Sequence, residues 1–252
     1  MLSFFVPSPL EQFEIVTILP ITFLNLNISL TNSSLFLILS ALVLITFFSL
    51  SSYKITIVPT LWGSLKETIY EITSNMVQDN LGKKGELYFP FIFVLHVLLL
   101  ACNLIGMVPY SFTVTSHITF TFSLALAVFV GINIIGIQTH GIKFFSLFLP
   151  RGVPLIIVPL LVTIEFVSYI IKVFTLSIRL FANMTSGHTL LKIIAGFAWT
   201  MLSAGGLLAV FHIIPLGLLL ALIGLELGIA ALQAYVFTLL TCIYLNDVLD
   251  MH

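Results

Sequence analysis

Residues 165–188 read Glu165-Phe-Val-Ser-Tyr-Ile-Ile-Lys172-Val-Phe-Thr-Leu-Ser-Ile-Arg179-Leu-Phe-Ala-Asn183-Met-Thr-Ser-Gly-His188, and this stretch decides the fold. It lies inside about ninety residues of almost continuous apolar sequence, the pattern of helices embedded in lipid. Within it polar residues recur at Glu165, Ser168, Lys172, Thr175, Arg179, Asn183 and Ser186, in steps of 3, 4, 3, 4, 4 and 3. Those steps put all seven on one helical face. The remaining faces are Ile, Leu, Val and Phe, so the polar seam lines water or another polar surface. Its fifth member, Arg179, bears a guanidinium that keeps its charge in a protein. Placing a charge at the bilayer centre costs between about 3 and more than about 10 kcal/mol, so this arginine calls for a function.

Composition agrees with the local reading. Of 252 residues, 60% are hydrophobic and 8% charged, with a mean hydropathy of +1.21; a soluble domain carries roughly a quarter charged residues. The class is therefore an all-α, multi-pass membrane protein. A net charge of −1 gives no electrostatic case for nucleic acid. Cys102 and Cys242 both fall in apolar segments and form neither a disulfide framework nor a metal-ligand cluster. No cofactor is implied. The first ten residues lack the basic flank and small-residue cleavage site of a secretory signal.

Working outward from the central stretch, the spacing predicts five spans. Residues 1–34, interrupted by Pro7, Pro9 and Pro20, read as an interfacial arm, and the rest as one membrane domain. The first span is expected over 35–52. From 59 to 82 Leu61, Leu65, Ile69, Ile72 and Met76 recur opposite Lys66, Glu67, Glu71 and Asp79, which predicts an amphipathic helix lying in the interface. Further spans are expected over 87–109 and 118–140, then two long ones over 154–200 and 206–247, with Gly205-Gly206 as the break between them. The last two exceed the roughly 30 Å hydrocarbon thickness, so they must tilt, bend or protrude, with Pro159 and Pro215 as candidate bends. Lys54, Lys66, Lys83 and Lys84 follow the first span, Lys143 and Arg151 the third, and the loop after the second has no basic residue. The positive-inside rule then puts the N-terminus outside and the C-terminus inside.

The last span repeats the theme of the fourth. Glu226, Gln233 and Asp247 are separated by multiples of seven, while Gly217, Ala221, Gly224, Gly228 and Ala231 form a stripe roughly opposite. Small residues at that spacing admit a closely packed neighbouring helix. In an antiparallel pair, sequence converts to depth: Glu165 and Asp247 lie toward the inner side, His188 and Glu226 toward the outer, and Arg179 between them. Titratable groups in separate halves, divided by a permanent cation, form two proton paths that do not join. A mobile carboxylate could load in one half and discharge in the other, with the arginine favouring its deprotonated form on passing. No nucleotide-binding loop or nucleophile with a paired base is present, so the chemistry is proton transfer and the chain is not expected to be an enzyme.

Ser177-Ile-Arg-Leu-Phe-Ala-Asn-Met-Thr-Ser-Gly-His188 resembles the signature of subunit a of the F-type ATP synthase, the proton-channel stator beside the rotating c-ring. Cys102-Asn-Leu-Ile-Gly-Met-Val-Pro-Tyr-Ser-Phe112, Gly224-Leu-Glu-Leu-Gly228 and Gln233-Ala-Tyr-Val-Phe237 support the resemblance, which runs from about residue 35 to the end. It implies that Arg179 faces the c-ring carboxylate. It assigns His188, Glu226, Asn183 and Gln233 to the outer half-channel, and Glu165 and Asp247 to the inner one. His at 188 with Glu at 226, and the ending Tyr244-Leu-Asn-Asp-Val-Leu249, are similar to mitochondrial members, which implies the mitochondrial inner membrane. The implied partners are the c-ring, other stator and Fo subunits, membrane lipids and protons. Lys172 stands at a variable position of the family, free to pair with Glu165 or reach a lipid head group.

Three other readings compete. A haem-bearing subunit needs histidines paired across helices, a pattern His96, His117, His140, His188 and His212 do not show. A secondary transporter for protons or other ions should show internal repeats, and none is apparent. A non-conducting assembly subunit would use the same polar residues only to hold its neighbours.

Overall fold

The computed structural model describes residues 8–23, 26–27, 29–52, 58–109, 111–141, 144 and 157–249. Lys54, Lys143 and Arg151, which bear on the charge bias, and Pro154, the expected start of the fourth span, lie outside them. Among the described residues are helices α1 (Asn32–Ser52), α2 (Leu61–Leu81), α3 (Phe89–Gly106), α4 (Ile118–His140), α5 (Val158–Ala204), α6 (Gly206–Phe211) and α7 (Ile213–Leu249). Five of these, α1, α3, α4, α5 and α7, are long and apolar enough to cross a membrane. The chain is an all-α membrane protein whose last long helices form a hairpin. Ahead of α1, the arm holds two small antiparallel pairings, Thr17–Leu19 with Leu30–Thr31 and Thr22–Phe23 with Leu26–Asn27.

Local chemistry sets where the helices begin. The Ser34 N–H donates to Thr31 Oγ1 at 3.4 Å while the Thr31 N–H donates to Ser34 Oγ at 3.1 Å, the reciprocal pattern of a capping box. Helix α1 accordingly opens at Asn32 instead of 35. The Asn32 side chain also ties down the arm, accepting from the Val16 N–H at 3.3 Å and donating to the Glu14 carbonyl at 3.0 Å. Helix α2 is capped by Thr60, whose side chain accepts from the Gly63 N–H. Its expected apolar face is only partly covered. Thr73, Met76, Val77 and Leu81 are buried, whereas Leu61, Leu65 and Ile72 are exposed, and the Tyr70 ring packs edge-on against Phe89 and Phe93 of α3.

The hairpin runs far beyond one bilayer thickness. Helix α5 has 47 residues, about 70 Å at 1.5 Å each, against a hydrocarbon layer of roughly 30 Å. It stops where Gly205 and Gly206 adopt φ of 70° and 62°, a region glycine enters without steric cost. A turn at His212 then separates α6 from α7. Pro159 and Pro215, expected as bends, instead sit in the first turns of α5 and α7. A missing N–H does no harm there, since first-turn donors have no intrahelical partner.

The core lies where α7 packs against α3 and α5, with α4 closing over α5. Ile92, Leu99, Leu180, Phe237 and Leu245 are its centre. Helix α1 is peripheral: its one buried residue, Ser40, lies with its hydroxyl 3.4 Å from Cys102 Sγ. Cys102 and Cys242 are both buried free thiols.

Candidate functional site

Helix α5 turns Tyr169, Val173, Leu176, Ser177, Leu180 and Met184 inward. Its periodicity therefore presents the polar stripe outward. Ser168, Thr175, Arg179, Asn183 and Ser186 are exposed, and Glu165 and Lys172 half-exposed. Arg179 has neither a hydrogen-bond nor an ion-pair partner among the described residues. The small residues Gly217, Ala221, Gly224, Gly228 and Ala231 of α7 are also uncovered, and a Cβ at Gly217, Gly224 or Gly228 would meet nothing within 4 Å. None of the described residues supplies the close neighbour expected against that stripe.

Two of the expected residues meet at one end of the stripe. His188 Nδ1 lies 3.1 Å from Glu226 Oε1, and the glutamate side chain is only 4% exposed. The approach satisfies an ion-pair distance but not hydrogen-bond alignment, so both Glu226 oxygens are without a donor among the described residues. Gly187 makes room for them: a Cβ there would lie 2.6 Å from Glu226 Oε1. On its other side, His188 Nε2 lies 3.0 Å from Thr113 Oγ1, which also reaches the Gly106 carbonyl at 3.2 Å. The hydroxyl has one proton to give. Given to Gly106, it leaves His188 to donate from Nε2 and turn the Nδ1 lone pair toward Glu226; given to His188, it sets Nδ1–H toward the carboxylate. The orientation of one hydroxyl thus matches one tautomer or the other, the ring's proton itself passing by exchange with a neighbouring group. The arm covers this end, with the Phe13 ring 6.5 Å from His188 and the Lys192 ammonium donating to the Ser8 carbonyl at 3.2 Å.

At the other end Asp247 meets Lys172 at 3.3 Å, with side chains 50% and 29% exposed. Lys172 therefore pairs with Asp247, while Glu165 stands seven residues further along α5, about 10 Å away. The ammonium also lies 4.8 Å from the Tyr244 ring centre and 5.7 Å from that of Tyr169, a favourable cation–π arrangement. From Lys172 to His188 is about 24 Å along α5, but from Asp247 to Glu226 about 31 Å along α7. Both pairings form across this difference in length. Arg179 lies between them, about 10 Å from the Lys172 level and about 13 Å from the His188 level.

The remaining expected residues fall on two surfaces. Asn183 is exposed one turn from Arg179. Gln233 is buried on the Glu226 face of α7, near where Asn103 Nδ2 donates to the Ala230 carbonyl at 3.0 Å. Among the described residues no group of His, Cys, Asp and Glu could hold a metal ion.

A family model described as ATP synthase A chain matches residues 34–246. The chain belongs to that family. It is 78% identical over 249 residues to ATP synthase subunit a of Chondrus crispus, covering 99% of this chain and 98% of that protein. To the subunit a of Marchantia polymorpha it is 51% identical over 251 residues, covering 97% and 99%. To that of Rhodospirillum rubrum it is 46% identical over 245 residues, again covering 97% and 99%. Asp247 lies one residue past the family match, which contains the other six candidate positions.

Sequence reading missed Thr113, Gly106 and Gly187. Thr113 sits in a loop without periodicity, 75 residues from the histidine it touches. Gly106 admits it, since a Cβ there would lie 2.6 Å from the Thr113 methyl. Gly187 was visible only as a small residue beside His188.

Proposed function

We propose that the chain is the proton-translocating stator subunit of an F-type ATP synthase Fo sector, with two offset half-channels that load and unload a carboxylate on the c-ring. The observation that carries this reading is Arg179, exposed on an outward face of α5 without a hydrogen-bond or ion-pair partner among the described residues, at a level between the His188–Glu226 and Lys172–Asp247 pairs. A rotor carboxylate is the partner such a cation suits. The uncovered small residues of α7 support it, because they allow a neighbouring helix to come close.

Protons enter from the outer side by His188 and Glu226, with Asn183 and Gln233 completing the path to the rotor, and leave toward Glu165 and Asp247. Arg179 repels a hydrated proton and favours the charged carboxylate beside it, which prevents a direct leak between the halves. Rotation takes its direction from the transmembrane field, about 2.3 kcal/mol per charge per 100 mV. This chain makes and breaks no bonds beyond those to protons, and nucleotide chemistry belongs to other subunits. The exposed Leu61, Trp62 and Leu65 of α2 suit contact with other stator subunits and lipid.

The compartment is the mitochondrial inner membrane, a reading supported by the pairing of His188 with Glu226 and by the C-terminal stretch. Fractionation that places the chain in another membrane overturns it. The mechanism is tested by Arg179→Ala in an assembled complex, measuring proton-driven ATP synthesis and passive proton leak together. Coupled synthesis should be lost; intact synthesis sinks the mechanism.

A further inference from the structure

Among the described residues, the buried side-chain polar atoms without a hydrogen-bond partner are, His140 Nε2 apart, Asn103 Oδ1, Thr115 Oγ1, His117 Nε2 and both Glu226 oxygens, all toward the His188 end. In folded proteins such groups are commonly held by ordered water. Bordering His117 is a cavity of about 190 Å³ in which Ser33, Ser34, His117 and Thr119 interrupt an otherwise apolar wall of Ile15, Leu37, Val114 and Phe120; its volume admits several waters at about 30 Å³ each, held at those polar groups. The loop between α3 and α4 is the wall between this cavity and His188. Val114 and His117 line the cavity, Thr113 touches His188, and the Ser116 carbonyl accepts from Thr185 at 3.3 Å. His117 is the one titratable residue among those lining the cavity. Its ring stacks on Phe112 at 5.1 Å, and burial pushes its imidazole below the ordinary pKa.

We infer that this cavity is the vestibule of the outer half-path and that His117 is its proton-collecting group, passing protons by way of Thr115 and Thr113 to His188. The inference rests on the proton-path reading given above. A hydronium in the cavity gives one proton to the neutral imidazole and becomes water. The imidazolium releases one proton inward, along water held at Thr115 Oγ1 and the Thr113 hydroxyl, and returns to neutral. His188 accepts it after giving its own proton to Glu226. One proton arrives and one departs at each station, and only O–H and N–H bonds change.

The test is passive proton conduction through Fo in vesicles that carry the assembled complex with its nucleotide-binding sector stripped off. His117→Phe retains an aromatic partner for Phe112 but cannot titrate, and should lower conduction by about tenfold or more. His117→Ala should lose as much and recover when millimolar imidazole is added on the outer face. Imidazole should not rescue His117→Phe, where the ring fills the space. Unchanged conduction in His117→Phe, no rescue of His117→Ala, or equal rescue from the inner face each overturns the inference. His188→Ala measured alongside separates the two levels. If it conducts normally, the underlying proton path falls; if it does not conduct while His117→Phe does, only the vestibule falls. Should the His117 variants fail to assemble, Thr119→Cys labelled from outside with an impermeant thiol reagent closes the cavity in an otherwise unaltered chain. Block is expected, and free conduction after complete labelling overturns the proposal.

Discussion

The two ends of the polar stripe hold their charges in opposite ways. At the His188 end a carboxylate almost sealed from solvent faces an imidazole, with a threonine hydroxyl behind it and the arm above. At the Asp247 end a half-exposed carboxylate is held by a lysine that also rests on two tyrosine rings. The first arrangement has several proton positions and no fixed charge, which suits a relay. The second joins a fixed cation to an anion, which suits a mouth open to water. Enclosure should make the first end intolerant of substitution and exposure should make the second forgiving, and this difference can be broken experimentally.

Glu226→Gln is the strongest lever. It keeps the volume of the side chain but removes its capacity to take and release a proton, so proton-driven ATP synthesis should fall about a hundredfold, in the range lost with one positioned acid–base group. Combining it with His188→Ala should add little, because the residues act as a unit. Independent, multiplying losses in the rate measurement would show that the pair is not one relay.

Gly187→Ala attacks the same pair through shape alone. A Cβ 2.6 Å from Glu226 Oε1 must push the carboxylate away, and crowding of this kind costs about 1–3 kcal/mol. Synthesis should fall about tenfold, which is the rate equivalent of roughly 1.4 kcal/mol. Glu226→Asp, shorter by one methylene, should restore part of the activity in the Gly187→Ala background. Were the double variant worse than Gly187→Ala alone, the glycine would serve something other than room for the carboxylate.

The stripe was legible in the sequence because helical periodicity is local information. Glu165 to Ser186 repeat at steps of three and four, and the outward face of α5 follows from the apolar residues that turn inward. The break at Gly205-Gly206 was legible for the same reason, since positive φ is a property of the residue itself. Which residues pair was not. Lys172 was free to pair with Glu165 on its own helix or to reach a lipid head group, and only the packing of α7 against α5 brings Asp247 to it. Thr113 lay beyond reach because a loop has no period and its partner is 75 residues away.

The smallest effect should come from Lys172→Gln. The pair it breaks is half-exposed, and ion pairs in such positions contribute about 0–1 kcal/mol, so assembly and stability should scarcely change. What changes is the freedom of Asp247, which loses its cation while Tyr169 and Tyr244 lose the ammonium between their rings. Proton-driven synthesis should shift by about threefold or less, and raising the salt should shrink the difference, because an exposed pair is screened. Measured synthesis at two ionic strengths in Lys172→Gln, Asp247→Asn and the double variant separates the possibilities. If Lys172 acts only by holding Asp247, its loss has no further effect once Asp247→Asn is present. A hundredfold loss from Lys172→Gln that salt leaves untouched would place a buried, indispensable charge at this end, and the contrast with the His188 end would disappear.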